Sequence, residues 1–203
     1  MRRKGTITNT KSLNFKKIAQ TRRQRGYNWE DTLVKRFNRM DNWKAFRLGS
    51  PSVALPDILC VNNKESALFT IEAKSGTGTT LTVPYDQIIR CLNWTNNFEV
   101  YATRQVVLAF KFLSKKRIGV GEYESRELRE FYKVWDQRKK PTDIVCKYNG
   151  MTYALQDSQK KEFFLKDYKM PFKSKYIIAT HVIDSSNDVT TSTLWAIDGR
   201  RLV

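Results

Sequence analysis

The chain has a single histidine, His181, and three cysteines, Cys60, Cys91 and Cys146, in 203 residues. None of the cysteines lies at zinc-ligand spacing from another or from the histidine, so neither a zinc site nor a disulfide framework is expected. Any metal would have to be held by carboxylates and carbonyls, which favours Mg²⁺, with Mn²⁺ able to substitute, over softer ions. Long apolar runs are also missing. No segment approaches the ~20 residues needed to span a bilayer, and the basic N-terminus lacks a signal-peptide core. The expectation is a soluble, cytoplasmic protein with no membrane partner. Acidic residues are scarce, 20 Asp and Glu against 37 Lys and Arg, for a net charge of +17. An excess of that size attracts polyanions and points to nucleic acid, hence to an intracellular, nucleoid-associated location.

What is present is a globular composition, 40% hydrophobic, with readable periodicities from residue 25 onward. Residues 1–24 are basic and carry no sustained period, which predicts a flexible arm able to lie along phosphates through residues such as Arg22 and Arg23. "RGYNWEDTLVKRFNRM" predicts a helix capped by Asn28, with Trp29, Leu33, Phe37 and Met40 on its core face. Glu30 falls inside that apolar arc, between Phe37 and Val34, where an ionised side chain is out of place. Strands are expected near Ala45–Arg47, from about Leu55 to Val61, and across "SALFTIEAK", with "NNKE" as the turn between the last two. "PYDQIIRCLNW" predicts a helix opened by Pro84, with Ile88, Cys91 and Leu92 inward. "RQVVLAFKF" predicts an interior strand. Further on, "RIGVGEYE" reads as a strand and "RELREFYKVWDQ" as an amphipathic helix through Leu128, Phe131, Tyr132 and Trp135. "DIVCKYNGMTYAL" reads as a hairpin with a type I′ turn at Asn149-Gly150, and "KYIIATHVI" and "STLWAID" as strands.

The chemistry concentrates between residues 56 and 75. Period two places Leu68, Thr70, Glu72 and Lys74 on one face of their strand, so Glu72 and Lys74 point the same way about 7 Å apart. Asp57 lies near their end of the hairpin. "PD" followed fifteen residues later by "EAK" is the PD-(D/E)xK pattern, and its parts make physical sense together. Asp57, Glu72 and the Ala73 carbonyl are hard oxygen ligands, and Lys74 can hold a water or stabilise charge at phosphorus. A structural ion pair between Lys74 and a carboxylate is the plainer alternative.

Five ordered motifs resemble the archaeal-type Holliday junction resolvases of the PD-(D/E)xK nuclease superfamily: "RGYNWE", "FRLGS", "PDI", "IEAKS" and "LTVPYDQIIRCLNW" leading into "VVLAFKF". The resemblance covers about residues 22–113 and continues more weakly to about 137. It implies an α/β, restriction-endonuclease-like mixed sheet flanked by helices. It implies catalytic roles for Glu30, Ser50, Asp57, Glu72 and Lys74, with Glu30, Asp57, Glu72 and Ala73 around the metal. Ser50 would be the loop serine that touches the DNA backbone, Ser52 being the other candidate, and Arg22, Arg23, Arg25 and Arg47 would join Ser52 in binding DNA. The substrate implied is the four-way DNA junction, and the assembly a homodimer that nicks two opposed strands. The domain plan is an arm (1–24), a nuclease domain (25–137) and a β-rich C-terminal extension (138–203). The rival readings are another nuclease with the same core, of flap, repair or restriction type, and a non-catalytic DNA-binding module.

Overall fold

A computed structural model describes residues 8–48, 54–156, 159–181 and 193–196. The first helix, α1 (Thr8–Asn38), is followed by β1 (Trp43–Arg47), β2 (Ile58–Asn62), β3 (Ala67–Gly76), β4 (Thr80–Val83), α2 (Tyr85–Asn97) and β5 (Thr103–Phe112). Then come β6 (Lys115–Arg117), β7 (Tyr123–Ser125), β8 (Arg129–Val134), β9 (Asp143–Lys147), β10 (Thr152–Gln156), β11 (Gln159–Glu162), β12 (Ile178–His181) and β13 (Thr193–Ala196). The central sheet runs β1-β2-β3-β5-β8. Only β3 and β5 are parallel; β1, β2 and β8 join antiparallel. This is a mixed sheet with helices against it, the α/β class expected. No helix among the described residues is long and apolar enough to cross a membrane.

The two faces of β3 separate as the period of two requires. Ala67, Phe69, Ile71 and Ala73 pack with Trp29, Leu33 and Phe37 of α1, and the Trp29 indole nitrogen donates to the Ala109 carbonyl at 3.2 Å. On the other face Thr70 donates to the Cys91 carbonyl of α2 at 3.1 Å. Helix α2 buries Ile88 and Cys91 against Leu108, Phe110 and Phe112 of β5. All three cysteines are buried and unpaired.

Helix α1 begins at Thr8, not at residue 28. Asn28 is therefore an interior residue rather than a cap: its side chain accepts from Gln24 at 2.9 Å and its carbonyl from the Thr32 hydroxyl at 2.6 Å. Ile18 through Thr21, Arg23 and Gln24 of α1 are exposed, so this stretch needs no apolar stripe. "REFYKV" is strand β8, not a helix. Its apolar residues serve both sheet faces, Tyr132 packing with α1 and Phe131 with Trp135 against the α2 side, which imitates helical spacing. Its charges are buried in pairs. Glu130 is fully buried and takes Arg36 at 2.5 Å and the Tyr132 hydroxyl at 3.1 Å, while Lys133 meets Asp167 at 2.6 Å.

"RIGVGEYE" spans a turn, with β6 and β7 forming a two-stranded hairpin rather than one strand. The hairpin at 143–156 is present, but its turn is not type I′. The Gly150 amide donates to the Lys147 carbonyl at 2.8 Å and Gly150 alone takes a positive φ, 83°, the three-residue loop with a glycine bulge. Strands β9, β10 and β11 extend β4 into a second, antiparallel sheet, and β12 pairs with β13. Met170, Phe172 and Ile177 join the α1-side core, while Ile144, Cys146, Leu165 and Ile178 join the α2-side core. Described residues between Ile144 and Ile178 thus contribute to the same two cores.

Candidate active site

Strand β3 delivers the site because its fully buried run ends at Ala73 and the strand becomes half-buried from Lys74 onward. The Ala73 amide donates to Asp57 Oδ2 at 2.9 Å, which fixes the aspartate, arriving just before β2, beside β3. The backbone there is tied further by the Leu48 amide to the Asp57 carbonyl at 2.9 Å. Lys74 Nζ donates to Glu72 Oε1 at 2.6 Å, so these two side chains do share a face. Glu72 is 1% exposed. Its other oxygen, Oε2, is buried with no hydrogen-bond partner, and Arg90 of α2 stands 4.0 Å from it.

Glu30 is buried on α1 as its place in the apolar arc suggested. Burial pushes its carboxyl from 4.5 up to about 7, Asp57 adds to the rise, and Arg47 and Lys74 oppose it. Burial likewise pushes Glu72 to about 7; Lys74 opposes this, Asp57 reinforces it and Arg90 opposes it more weakly. Asp57 and Lys74 act on both glutamates, which makes them the hinge of the constellation. Among the described residues no three His, Cys, Asp or Glu side chains gather closely enough to form a ready-made metal cage. Glu30 feels the Asp57 charge without joining Asp57 and Glu72 in one three-carboxylate cluster.

The residues nonetheless suit a hard divalent cation. A buried, unpaired carboxylate oxygen beside a second carboxylate is costly unless something positive completes it. The donor set of Asp57, Glu72 and the Ala73 carbonyl is all oxygen, as Mg²⁺ or Mn²⁺ requires. Gln87 Oε1 and Arg90 Nε of α2 are also buried without partners, so unsatisfied polar atoms extend from Glu72 onto that helix.

Around this centre Ser75 donates to the Arg25 carbonyl at 3.2 Å, clasping β3 to α1. Arg47 sits 3.4 Å from Asp31 and its guanidinium lies 4.9 Å from the Tyr27 ring centroid. Arg23 is exposed and Arg25 half-buried. Ser50 and Ser52 lie outside the described residues, as does the Arg22 side chain. The sequence reading missed Arg90. A signal was available: Gln87 and Arg90, one turn apart, border the inward arc of Ile88 and Cys91.

A family model for archaeal Holliday junction resolvases (Hjc) matches residues 21–143, more than half of the chain. The chain belongs to that family. Among solved structures, this resolvase-family chain is similar to Hjc, a Holliday junction resolvase of the archaeal hyperthermophile Archaeoglobus fulgidus. Identity is 17%, coverage is 52% of this chain and 72% of that one, and the TM-score is 0.36. No curated protein matches the chain. The matched segment contains Glu30, Asp57, Glu72, Lys74 and Arg90, and it ends at the start of β9.

Proposed function

We propose that this resolvase-family protein is a divalent-metal-dependent endodeoxyribonuclease that resolves four-way DNA junctions by paired, symmetric nicks. It acts in the cytoplasm as a homodimer whose two-fold symmetry matches that of the junction. The observation that supports this most is the convergence of Asp57, Glu72 and Lys74 at one strand end in a chain of this family. Asp57, Glu72 and the Ala73 carbonyl would hold Mg²⁺ or Mn²⁺, and Glu30 would help order the metal from its place on α1. When bound, such a cation screens the phosphate and acidifies water.

The chain's own residues do the rest. Lys74 places an ammonium where negative charge grows at phosphorus, in a partly water-excluded corner. Glu30, whose carboxyl lies near 7, holds or releases a proton beside Asp57 at working pH. Ser50, with Ser52 as its alternative, contacts the backbone near the cut. Arg22, Arg23, Arg25 and Arg47 bind phosphates, which positions the DNA without reading its sequence. The deciding experiment is cleavage of an immobile four-way junction, a flap and a linear duplex of shared sequence, with and without Mg²⁺. Paired nicks confined to the junction and dependent on the metal are expected. Equal cutting of the linear duplex would transfer the site to a flap, repair or restriction-type nuclease, and binding without cutting at any metal concentration would leave a non-catalytic DNA-binding module.

A further inference from the structure

Strand β5 leaves the central sheet at Phe112, beside the end of β3, and the β6–β7 hairpin follows at once. Its root is fastened to the segment just beyond Lys74. The Leu113 amide donates to the Gly76 carbonyl at 2.9 Å and the Arg117 amide to the Thr77 carbonyl at 3.0 Å. Arg126 donates to the carbonyls of Leu113 at 2.8 Å and Gly78 at 3.0 Å. The hairpin therefore stands at the same end of the sheet as Asp57, Glu72 and Lys74.

Its tip has the opposite chemistry to its root. Val120 is 92% exposed, Ile118 59% and Tyr123 45%. Ile118 and Val120 lie in the short turn and Tyr123 opens β7 beside them, so large apolar side chains are gathered at an exposed tip. The turn is narrow: the Ile118 amide reaches the Glu122 carbonyl at 3.2 Å, and Val120 stands between two glycines. Gly121 has φ 82° and nothing within 4 Å of where a Cβ would stand, so there is open space around the tip. Below the tip, Lys115, Lys116, Arg117 and Arg126 outnumber Glu122 and Glu124.

An apolar point on a cationic stem matches a nucleic acid's own layering, stacked bases inside and phosphates outside. We infer that the Ile118–Val120 tip is a wedge that enters between base pairs at the centre of the junction while the basic stem rests on the flanking phosphates. Apolar wedges of this kind unstack a base step at a cost recovered from wider contact, and an open junction centre already has its stacking interrupted. A continuous duplex presents no such gap, so the wedge favours junctions over duplexes. The inference rests on the junction reading above.

Ile118→Ser with Val120→Ser removes the apolar tip, and their exposure leaves the fold intact, which an unchanged thermal melt verifies. Affinity is measured for an immobile junction and for linear duplex at one salt concentration, together with the fluorescence of 2-aminopurine at the junction centre. The wild type is expected to brighten the probe and prefer the junction. The double variant should lose the brightening and at least about tenfold in junction affinity, as loss of the apolar area buried by Ile118 and Val120 predicts, with duplex affinity unchanged. A variant that matches the wild type on the junction, or loses junction and duplex affinity equally, overturns the wedge while the resolvase reading stands. A wild type that does not prefer the junction overturns both.

Discussion

Substituting Glu72 by Gln should make the metal-free protein more stable, and only at the higher pH. The carboxyl rises from 4.5 to about 7, chiefly through burial. The folded protein therefore binds a proton that the unfolded chain releases across that interval, and stability falls as pH climbs from ~4.5 to about 7, then levels off. At ~1.4 kcal/mol for each tenfold in proton affinity, the loss is about 3 kcal/mol. Gln imitates the protonated carboxyl and still accepts from Lys74, so the variant escapes that loss. Urea denaturation in EDTA at pH 4.5 and pH 8 gives a double difference in which any constant offset between Gln and the neutral acid cancels. For a chain of this length, about 3 kcal/mol corresponds to roughly 6–12 °C in Tm. Millimolar Mg²⁺ should then close most of that gap at pH 8. A cation at one hundred times its Kd adds about 2.7 kcal/mol to the wild type and little to the variant. A variant equally destabilised at both pH values, with no differential response to Mg²⁺, would show that Glu72 is an ordinary partner of Lys74.

Asp57→Asn keeps an acceptor for the Ala73 amide, so it should fold normally and bind junctions in a gel-shift assay while cleavage becomes undetectable; loss of folding would make Asp57 structural. Glu30→Gln should lower the single-turnover rate strongly yet leave Tm unchanged or raised above pH 7, and a lower Tm with normal cleavage would remove Glu30 from the site. Gly150→Ala meets Phe131 and Thr180 in addition to a φ of 83° and should cost over ~2 kcal/mol in urea denaturation. Gly121→Ala, at φ 82° in open space, should cost ~1 kcal/mol or less; equal costs would show that the second sheet yields at Gly150. Replacing Arg22, Arg23 and Arg25 by Gln should flatten the dependence of log affinity on log salt by about 0.9 for each phosphate that the variant no longer neutralises, with the cut positions unchanged; an unchanged slope would leave this stretch idle.

The stretch that carries the chemistry was legible because its constraints are local. A strand that alternates Phe69, Ile71 and Ala73 against Thr70, Glu72 and Lys74 can divide its faces in only one way, and the pairing of β2 with β3 follows from the short turn. Glu30 stood out for the same reason, as a charge in an apolar arc. Strand β8 was illegible because its signal is tertiary. Phe131, Tyr132 and Trp135 obey helical spacing only because both faces of this last strand of the sheet are covered, and Glu130 and Lys133 look solvent-facing until Arg36 and Asp167 arrive from 94 and 34 residues away. The early start of α1 was hidden for a complementary reason, since an exposed stretch such as Ile18 to Thr21 needs no apolar period. Arg90 belongs to the same class as β8: its role comes from meeting Glu72 on the face of β3 that α2 covers, 4.0 Å away, which no spacing within α2 expresses.

Strand β4 lies within the connection between parallel strands β3 and β5, yet it hydrogen-bonds to β9 rather than to the central sheet. On an emerging nascent chain, every residue of the constellation and the whole crossover are made well before β9, at Asp143–Lys147, is complete. Until then Thr80–Val83 is an unpaired edge, the kind of backbone that recruits other strands. A fragment ending near residue 137 would keep that edge permanently and would also lack Ile144, Leu165, Phe172 and Ile178 from its cores. The stretch that bears the resolvase motifs is thus shorter than the stretch that must be synthesised before they can be held in place, and an excised nuclease segment would associate through β4 instead of remaining dispersed.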